Sequence, residues 1–227
     1  GNEIGTKANF KNFAVKKGYR FTEFPLDYQK RSGLGSYVDR LDKLLYRDEY
    51  QKDIGLGIDI KVYDDIQDLE RWMNDCHNST SSAKYYASYC WAWKSRRNPT
   101  ELDIKIPEIN PVFQKQWNPW DDQYRWYLDS IDKVGCIYTA QGLGFDYVGF
   151  IWSDDLVWRK DHWEENIQLV TKFDSQLRGS INANTNKLDL LLNIYRVMLT
   201  RAKKGLGIWF KDEETKQHFK EVCLLER

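Results

Sequence analysis

The 227-residue chain has no surplus of either charge: 34 Lys and Arg balance 34 Asp and Glu. Net charge therefore gives no support for nucleic-acid binding, and any basic face has to come from local clustering. No apolar run approaches the ~18 residues that span a bilayer, and no signal peptide is visible, so a cytoplasmic protein without a membrane contact is expected. None of the four cysteines (Cys76, Cys90, Cys136, Cys223) stands in a CxxC pair, and the three isolated histidines (His77, His162, His218) add no metal spacing. Reduced thiols and no metal site follow. The sequence GxxxxGK followed by Ser or Thr is also missing. Without that phosphate cradle the chain by itself is not a complete P-loop ATPase.

What is present is aromatic and charged. Aromatics are 15% of the chain, with ten Trp, and charged residues 30%. A chain of this length buries one good-sized core. The most telling stretch is Val134–Trp152, VGCIYTAQGLGFDYVGFIW. Two short apolar runs, Val134–Tyr138 and Tyr147–Trp152, flank a small polar turn. Such runs read as strands buried on both faces of a parallel sheet, and the turn falls at a strand's C-terminal end, where open α/β sheets place ligands.

The remaining elements fit around that pair. Helices are expected over Asn2–Lys17, Leu34–Tyr46, from Asp64 or Asp65 to about Cys76, over His162–Leu169, from Thr185 or Asn186 through the stripe Leu188, Leu191, Leu192, Tyr195, Met198, Leu199 and Ala202, and from Asp212 to about Leu225. Gly18 ends the first; Lys203, Lys204 and Gly205 read as the C-terminal turn and cap of the fifth. Strands are expected at Tyr19–Phe24, Ile58–Val62, Tyr85–Trp91, Leu102–Ile106 and Leu206–Phe210. Asn78–Ser82 and Ser180–Asn186 read as polar loops, Lys94–Thr100 as a basic loop, and Pro107–Trp126 as an irregular, Trp-rich excursion. The alternation implies a mostly parallel α/β sheet.

Four stretches, in order, carry a family resemblance. TAQGLGFDYVGFI (Thr139–Ile151) resembles motif V of superfamily 1 helicases, and more narrowly that of the schlafen group 3-like DNA/RNA helicase family. PLDYQKRSGLGSYVDRLDKLL (Pro25–Leu45) resembles its Gln-x-Arg segment and following helix, YYASYCWAWKS (Tyr85–Ser95) its aromatic strand, and NIYRVMLTRAKKG (Asn193–Gly205) its motif VI. The resemblance implies a RecA-like, P-loop NTPase-type three-layer domain that lacks its own Walker A. Residues 1–18 would be the end of a preceding domain or a linker helix, and 19–227 the C-terminal half of a motor whose N-terminal, Walker-bearing half is absent. ATP and Mg²⁺ would bind only with that half, and the isolated chain would be inactive.

By the same resemblance Arg201 and Arg31 would meet the γ-phosphate, for which a guanidinium suits because it stays charged and grips two oxygens. Gln29, Gln141, Gly142 and Arg196 would line the nucleotide cleft, with Arg196 either facing it or pairing with an acid. Both motif VI arginines also read as solvated helix residues. Gly144 stands where the family has Glu, which removes an acceptor. Thr139, Trp93, Lys94, Arg96 and Arg97 are the candidates for single-stranded DNA or RNA, since aromatics beside cations suit stacking plus phosphate contact. The alternative for that segment is a core Trp91 and a solvated basic loop. Phe150–Asp155 ends in acids like a Walker B strand, which carries little weight without a Walker A.

Two other classes compete. A metal-dependent nuclease would use Asp103-Ile104-Lys105 or Asp59-Ile60-Lys61, triplets that arise readily by chance in so charged a chain. A non-catalytic RecA-like interaction module would have lost hydrolysis. A cleft containing Arg31 and Arg201 favours the motor; arginines tied up with surface acids favour the module.

Overall fold

The computed structural model describes residues 7–23, 35–46, 58–80, 82–107, 111–118, 131–140, 142–181 and 185–223. The first helix, α1 (Lys7–Lys16), ends as its glycine predicts. Gly18 is left-handed (φ 70°), its N–H reaches Val15 O at 3.0 Å, and the Tyr19 N–H reaches Ala14 O at 2.8 Å. These are the paired bonds of a Schellman cap. Beyond it, residues 19–23 pair with no strand among the described residues, so the alternation expected of Tyr19–Phe24 does not produce one.

The sheet is built from β1 (Asp59–Tyr63), β2 (Ala83–Ala87), β3 (Ile104–Ile106), β4 (Phe113–Trp117), β5 (Lys133–Gly135), β6 (Phe145–Trp152) and β9 (Ala202–Phe210). Its order is β1-β9-β6-β2-β5-β4-β3, parallel throughout except for β3 against β4. β2 is therefore central. β5 and β6, consecutive in sequence, lie on either side of it, which opens a crevice at the C-terminal end of β2. A separate hairpin, β7 (Leu156–Arg159) and β8 (His162–Glu165), turns at the left-handed Lys160 (φ 56°).

Helices cover both faces, giving three layers. α3 (Ile66–Thr80) starts at Asp65, whose carboxylate accepts the Gln67 N–H at 2.8 Å. It buries Ile66, Leu69 and Met73 on one face of the sheet and approaches closely because β9 carries glycine there: a Cβ on Gly207 would lie 2.5 Å from Trp72 Cζ3 and 2.7 Å from Leu69 Cδ1. On the other face α7 (Lys187–Leu199) and α8 (Glu213–Cys223) close over Trp152, whose ring neighbours are Trp163, Tyr195, Phe210 and Phe219. The Trp152 Nε1–H donates to Leu156 O at 2.7 Å, so this core ring keeps no orphan donor. α2 (Gly35–Tyr46) packs on α7, with Tyr37 donating to Leu199 O at 3.2 Å. Three short helices, α4 (Ile137–Ala140), α5 (Ile167–Phe173) and α6 (Ser175–Ser180), complete the described elements.

Several boundaries differ from the sequence expectation. α3 runs through Asn78–Thr80, where Ser79 and Thr80 hydroxyls turn back onto Cys76 O. β2 stops at Ala87, short of Trp91. The Trp-rich region contains β4, an interior strand. β5 ends at Gly135, and Ile137–Ala140 coils because Thr139 closes a reciprocal cap: its Oγ1 accepts the Cys136 N–H at 2.8 Å. β8 takes the first half of the helix expected over His162–Leu169, and α5 begins only at Ile167. Finally α7 ends at Leu199 rather than at Gly205, because Ala202–Gly205 pairs with β6. Gly205 is a site of close approach to Tyr147 in a strand, not a helix cap: its Cβ would stand 2.8 Å from that ring.

Candidate nucleic-acid interface

A cleft of about 1260 Å³ opens beyond the C-terminal ends of β2, β4 and β5. Trp93, Lys94, Arg96 and Arg97 enter it from the segment after β2, Asn118 from the end of β4, Tyr138 and Thr139 from α4, and Lys172 to Ser175 from the junction of α5 and α6. All five residues expected at single-stranded nucleic acid therefore meet in one place. Four cations (Lys94, Arg96, Arg97, Lys172) face two carboxylates, Glu101 and Asp174. The local clustering that the neutral whole chain required is present.

The basic segment is held from beneath by one carboxylate. Asp103 Oδ1 accepts the N–H groups of Lys94 at 2.7 Å and Ser95 at 2.9 Å, and Oδ2 accepts that of Trp117 at 2.9 Å. A carboxylate occupied by three amides has little capacity left for a metal ion, which removes the Asp103–Lys105 nuclease reading. Asp59, in the other triplet, pairs with Lys61 at 3.2 Å on the outer strand β1. Among the described residues no group of three or more His, Cys, Asp or Glu is arranged to hold a metal.

The floor is aromatic. Ring centroids run Trp93–Trp117 at 6.4 Å, Trp117–Tyr89 at 4.3 Å and Tyr89–Tyr138 at 5.6 Å, all edge to face. The Arg96 guanidinium lies 5.1 Å from the Trp93 ring centre, a cation–π pair at the rim. Trp91 is not among the lining residues and packs against the core. At the far end of the floor the Tyr138 hydroxyl donates to Asp174 Oδ2 at 2.7 Å. Burial and that carboxylate push the Tyr138 phenol up, so it remains a neutral donor. Asn118 holds a left-handed backbone (φ 50°) and accepts the Cys136 thiol at 3.2 Å. Burial raises that thiol to about 12, so Cys136 is an inert core group.

A family model for the schlafen group 3 DNA/RNA helicase domain matches residues 1–212. The chain belongs to this family. It is also 23% identical over 180 residues to the uncharacterized protein YPL245W of Saccharomyces cerevisiae, covering 71% of this chain and 36% of that protein. The chain thus spans about a third of the length of that curated relative. Among solved structures it is similar to the C-terminal domain of a possible DNA helicase from Lactobacillus plantarum WCFS1, with a TM-score of 0.38 and 11% identity over 80% of this chain and 88% of that one.

In this helicase-family domain the two segments that resemble motif V and motif VI touch. Arg201 follows α7 and is 8% exposed. Its Nε–H donates to Val197 O at 2.8 Å, Nη1 to Leu143 O at 3.1 Å and Nη2 to Thr200 Oγ1 at 3.2 Å. Two backbone carbonyls and a hydroxyl hold it. Arg196 takes the second of its two sequence readings: it forms a two-point ion pair with Asp42 of α2, including Nη2 to Oδ2 at 2.8 Å. Gln29, Arg31 and Gln141 lie outside the described residues. Gly142 is left-handed (φ 77°) with open space where a Cβ would be. Gly144 is not left-handed, and a Cβ there would press on the end of the flexible Lys203 side chain at 3.1 Å.

The Walker B-like strand end has another role. Asp155 is fully buried and accepts the Ser88 hydroxyl at 2.9 Å, the Cys90 thiol at 3.2 Å and the Tyr195 hydroxyl at 2.6 Å. Burial raises its carboxyl. It ties the segment after β6 to that after β2 and to α7. The sequence reading took Asp103 for a metal ligand and missed Tyr138, Lys172, Phe173 and Asp174 at the cleft. None has a motif; only the fold brings them to the cleft.

Proposed function

We propose that this domain is the C-terminal motor half of a nucleic-acid-dependent ATPase or helicase, and that its cleft beyond β2, β4 and β5 tracks single-stranded DNA or RNA. The observation that carries the reading is the convergence of Trp93, Lys94, Arg96, Arg97 and Thr139 on one aromatic-floored, cationic cleft. Rings give sequence-tolerant stacking and cations give phosphate contact. Thr139 contributes mainly by shaping the turn, since its hydroxyl is engaged with Cys136.

ATP would lie between this domain and a Walker-bearing N-terminal half. Arg201 is this chain's candidate for its phosphates, with Arg31, Gln29, Gln141 and Gly142 as further contacts by family resemblance. A bound nucleotide supplies the free energy of hydrolysis; this chain would supply a permanently charged group beside it. To serve, the Arg201 guanidinium has to exchange carbonyl partners for phosphate oxygens. Its bond to Leu143 O supports a link between that exchange and the motif V-like segment.

The test is fluorescence anisotropy of labelled oligo(dT) and oligo(rU) against the domain over a salt series. Binding is expected, and the Arg96→Ala/Arg97→Ala double variant should weaken it and flatten the log–log salt slope by about 0.7 per lost phosphate contact. Absence of binding at low salt overturns the reading. Nucleic-acid-stimulated hydrolysis by this domain joined to a Walker-bearing half tests the motor; binding without any hydrolysis marks an interaction module instead.

A further inference from the structure

We infer that the elbow between α5 and α6 is a second wall of the cleft and contacts the same single strand, with Lys172 on a phosphate and the Tyr138 ring, held by Asp174, against a base. The inference rests on the nucleic-acid reading of the cleft and extends it to residues outside the motifs.

The elbow is a helix–break–helix. α5 ends at Phe173, Asp174 is extended (φ −96°, ψ 98°), and its Oδ1 accepts the Leu177 N–H at 2.9 Å to start α6. The second oxygen takes the Tyr138 hydroxyl. Both oxygens of this 3%-exposed carboxylate are thus engaged within the protein, which leaves Lys172 as the outward charge of the wall. The Lys172 ammonium sits 5.3 Å from the centre of the Phe173 ring. That repeats the Arg96–Trp93 arrangement at the other end of the floor, so each end carries a cation beside a ring.

Tyr138 links the two. Its hydroxyl is tethered and its ring meets Tyr89 edge to face, yet the residue is 42% exposed. A large ring fixed at two points and still open to the cleft has its ordering cost already met, which suits it to stack on a base.

The experiment uses the same oligonucleotide titrations with Lys172→Ala, Tyr138→Ala and Tyr138→Phe, each with its melting temperature measured. Lys172→Ala should lower affinity severalfold and flatten the salt slope by about 0.7 with unchanged melting. Tyr138→Ala should lose roughly tenfold or more, with the salt slope retained, and Tyr138→Phe, which keeps the ring and drops the tether, should lose less. Wild-type binding by Lys172→Ala and Tyr138→Ala, beside weakened binding by the Arg96→Ala/Arg97→Ala variant, overturns the second wall and leaves the cleft reading standing. Equal losses for the two Tyr138 variants overturn the stacking role. A wild-type domain that binds no oligonucleotide overturns both readings.

Discussion

Arg201→Ala is expected to destabilise the domain before it alters any chemistry. The substitution deletes three donors, to Val197 O, Leu143 O and Thr200 Oγ1. Two of the three acceptors are only partly buried, so an ordinary net value of ~1 kcal/mol per bond, giving about 3 kcal/mol in all, is the lower bound expected. For a domain of this size each kcal/mol moves the midpoint by about 2–4 °C, so a fall of roughly 6–12 °C is expected. Arg201→Lys, which can remake one of the three bonds, should fall between. The assay is thermal unfolding of the isolated domain followed by far-ultraviolet circular dichroism. A melting temperature within about 2 °C of wild type would refute the reasoning: the guanidinium would not be held in solution as it is in the structure. The magnitude matters for function. A hundredfold loss of hydrolysis is about 2.7 kcal/mol of barrier, close to the stability loss, so turnover of this variant has to be measured well below its melting temperature.

Two further outcomes test the reasoning at other sites. His218 stacks on Trp158 with centroids 3.6 Å apart and is held neutral by burial, which lowers its pKa from 6.5 to about 4. The unfolded chain binds the proton first, so the contribution of this group is complete above pH ~6.5 and is lost as pH falls toward 4, to a total of about 3 kcal/mol; the pH dependence of urea stability should flatten in that window in His218→Phe relative to wild type, and parallel curves would sink the assignment. Asp103→Ala should speed hydrogen exchange at the Lys94, Ser95 and Trp117 amides by roughly tenfold and weaken oligonucleotide binding without removing a cation, with Asp103→Asn between; unchanged exchange would show that the carboxylate does not hold the loop.

How much of this was legible depends on the range of the signal. The Leu191, Leu192, Tyr195, Met198 stripe announced α7 because burial on one helix face leaves a 3.6-residue period. The runs around β2 and β6 announced a buried parallel sheet because both faces of those strands are covered. Boundaries failed where a partner distant in sequence decides the matter. Lys203 to Gly205 suits a helix end locally, but pairing with β6 draws it into β9. The Val134–Tyr138 run is uniformly apolar, and only the Thr139 cap shows where strand gives way to helix. At the cleft, the Trp93–Arg97 cluster was visible as composition. The Lys172–Asp174 elbow was not, since an ordinary helix end carries the same residues. Asp103 was visible and misread: an acid two residues before a lysine fits a metal site on paper, and its amide partners show otherwise.

α7 has a mechanical consequence. Over seven residues, α7 and the turn after it are fastened to three different stretches of chain: Tyr195 to Asp155 after β6, Arg196 to Asp42 in α2, and Arg201 to Leu143 after α4. A beam pinned at three points cannot tilt about one of them without straining the other two. Displacement imposed near Arg201, at the N-terminal ends of β6 and β9, is therefore carried through α7 to Asp155 beyond the C-terminal end of β6 and to Asp42 in α2.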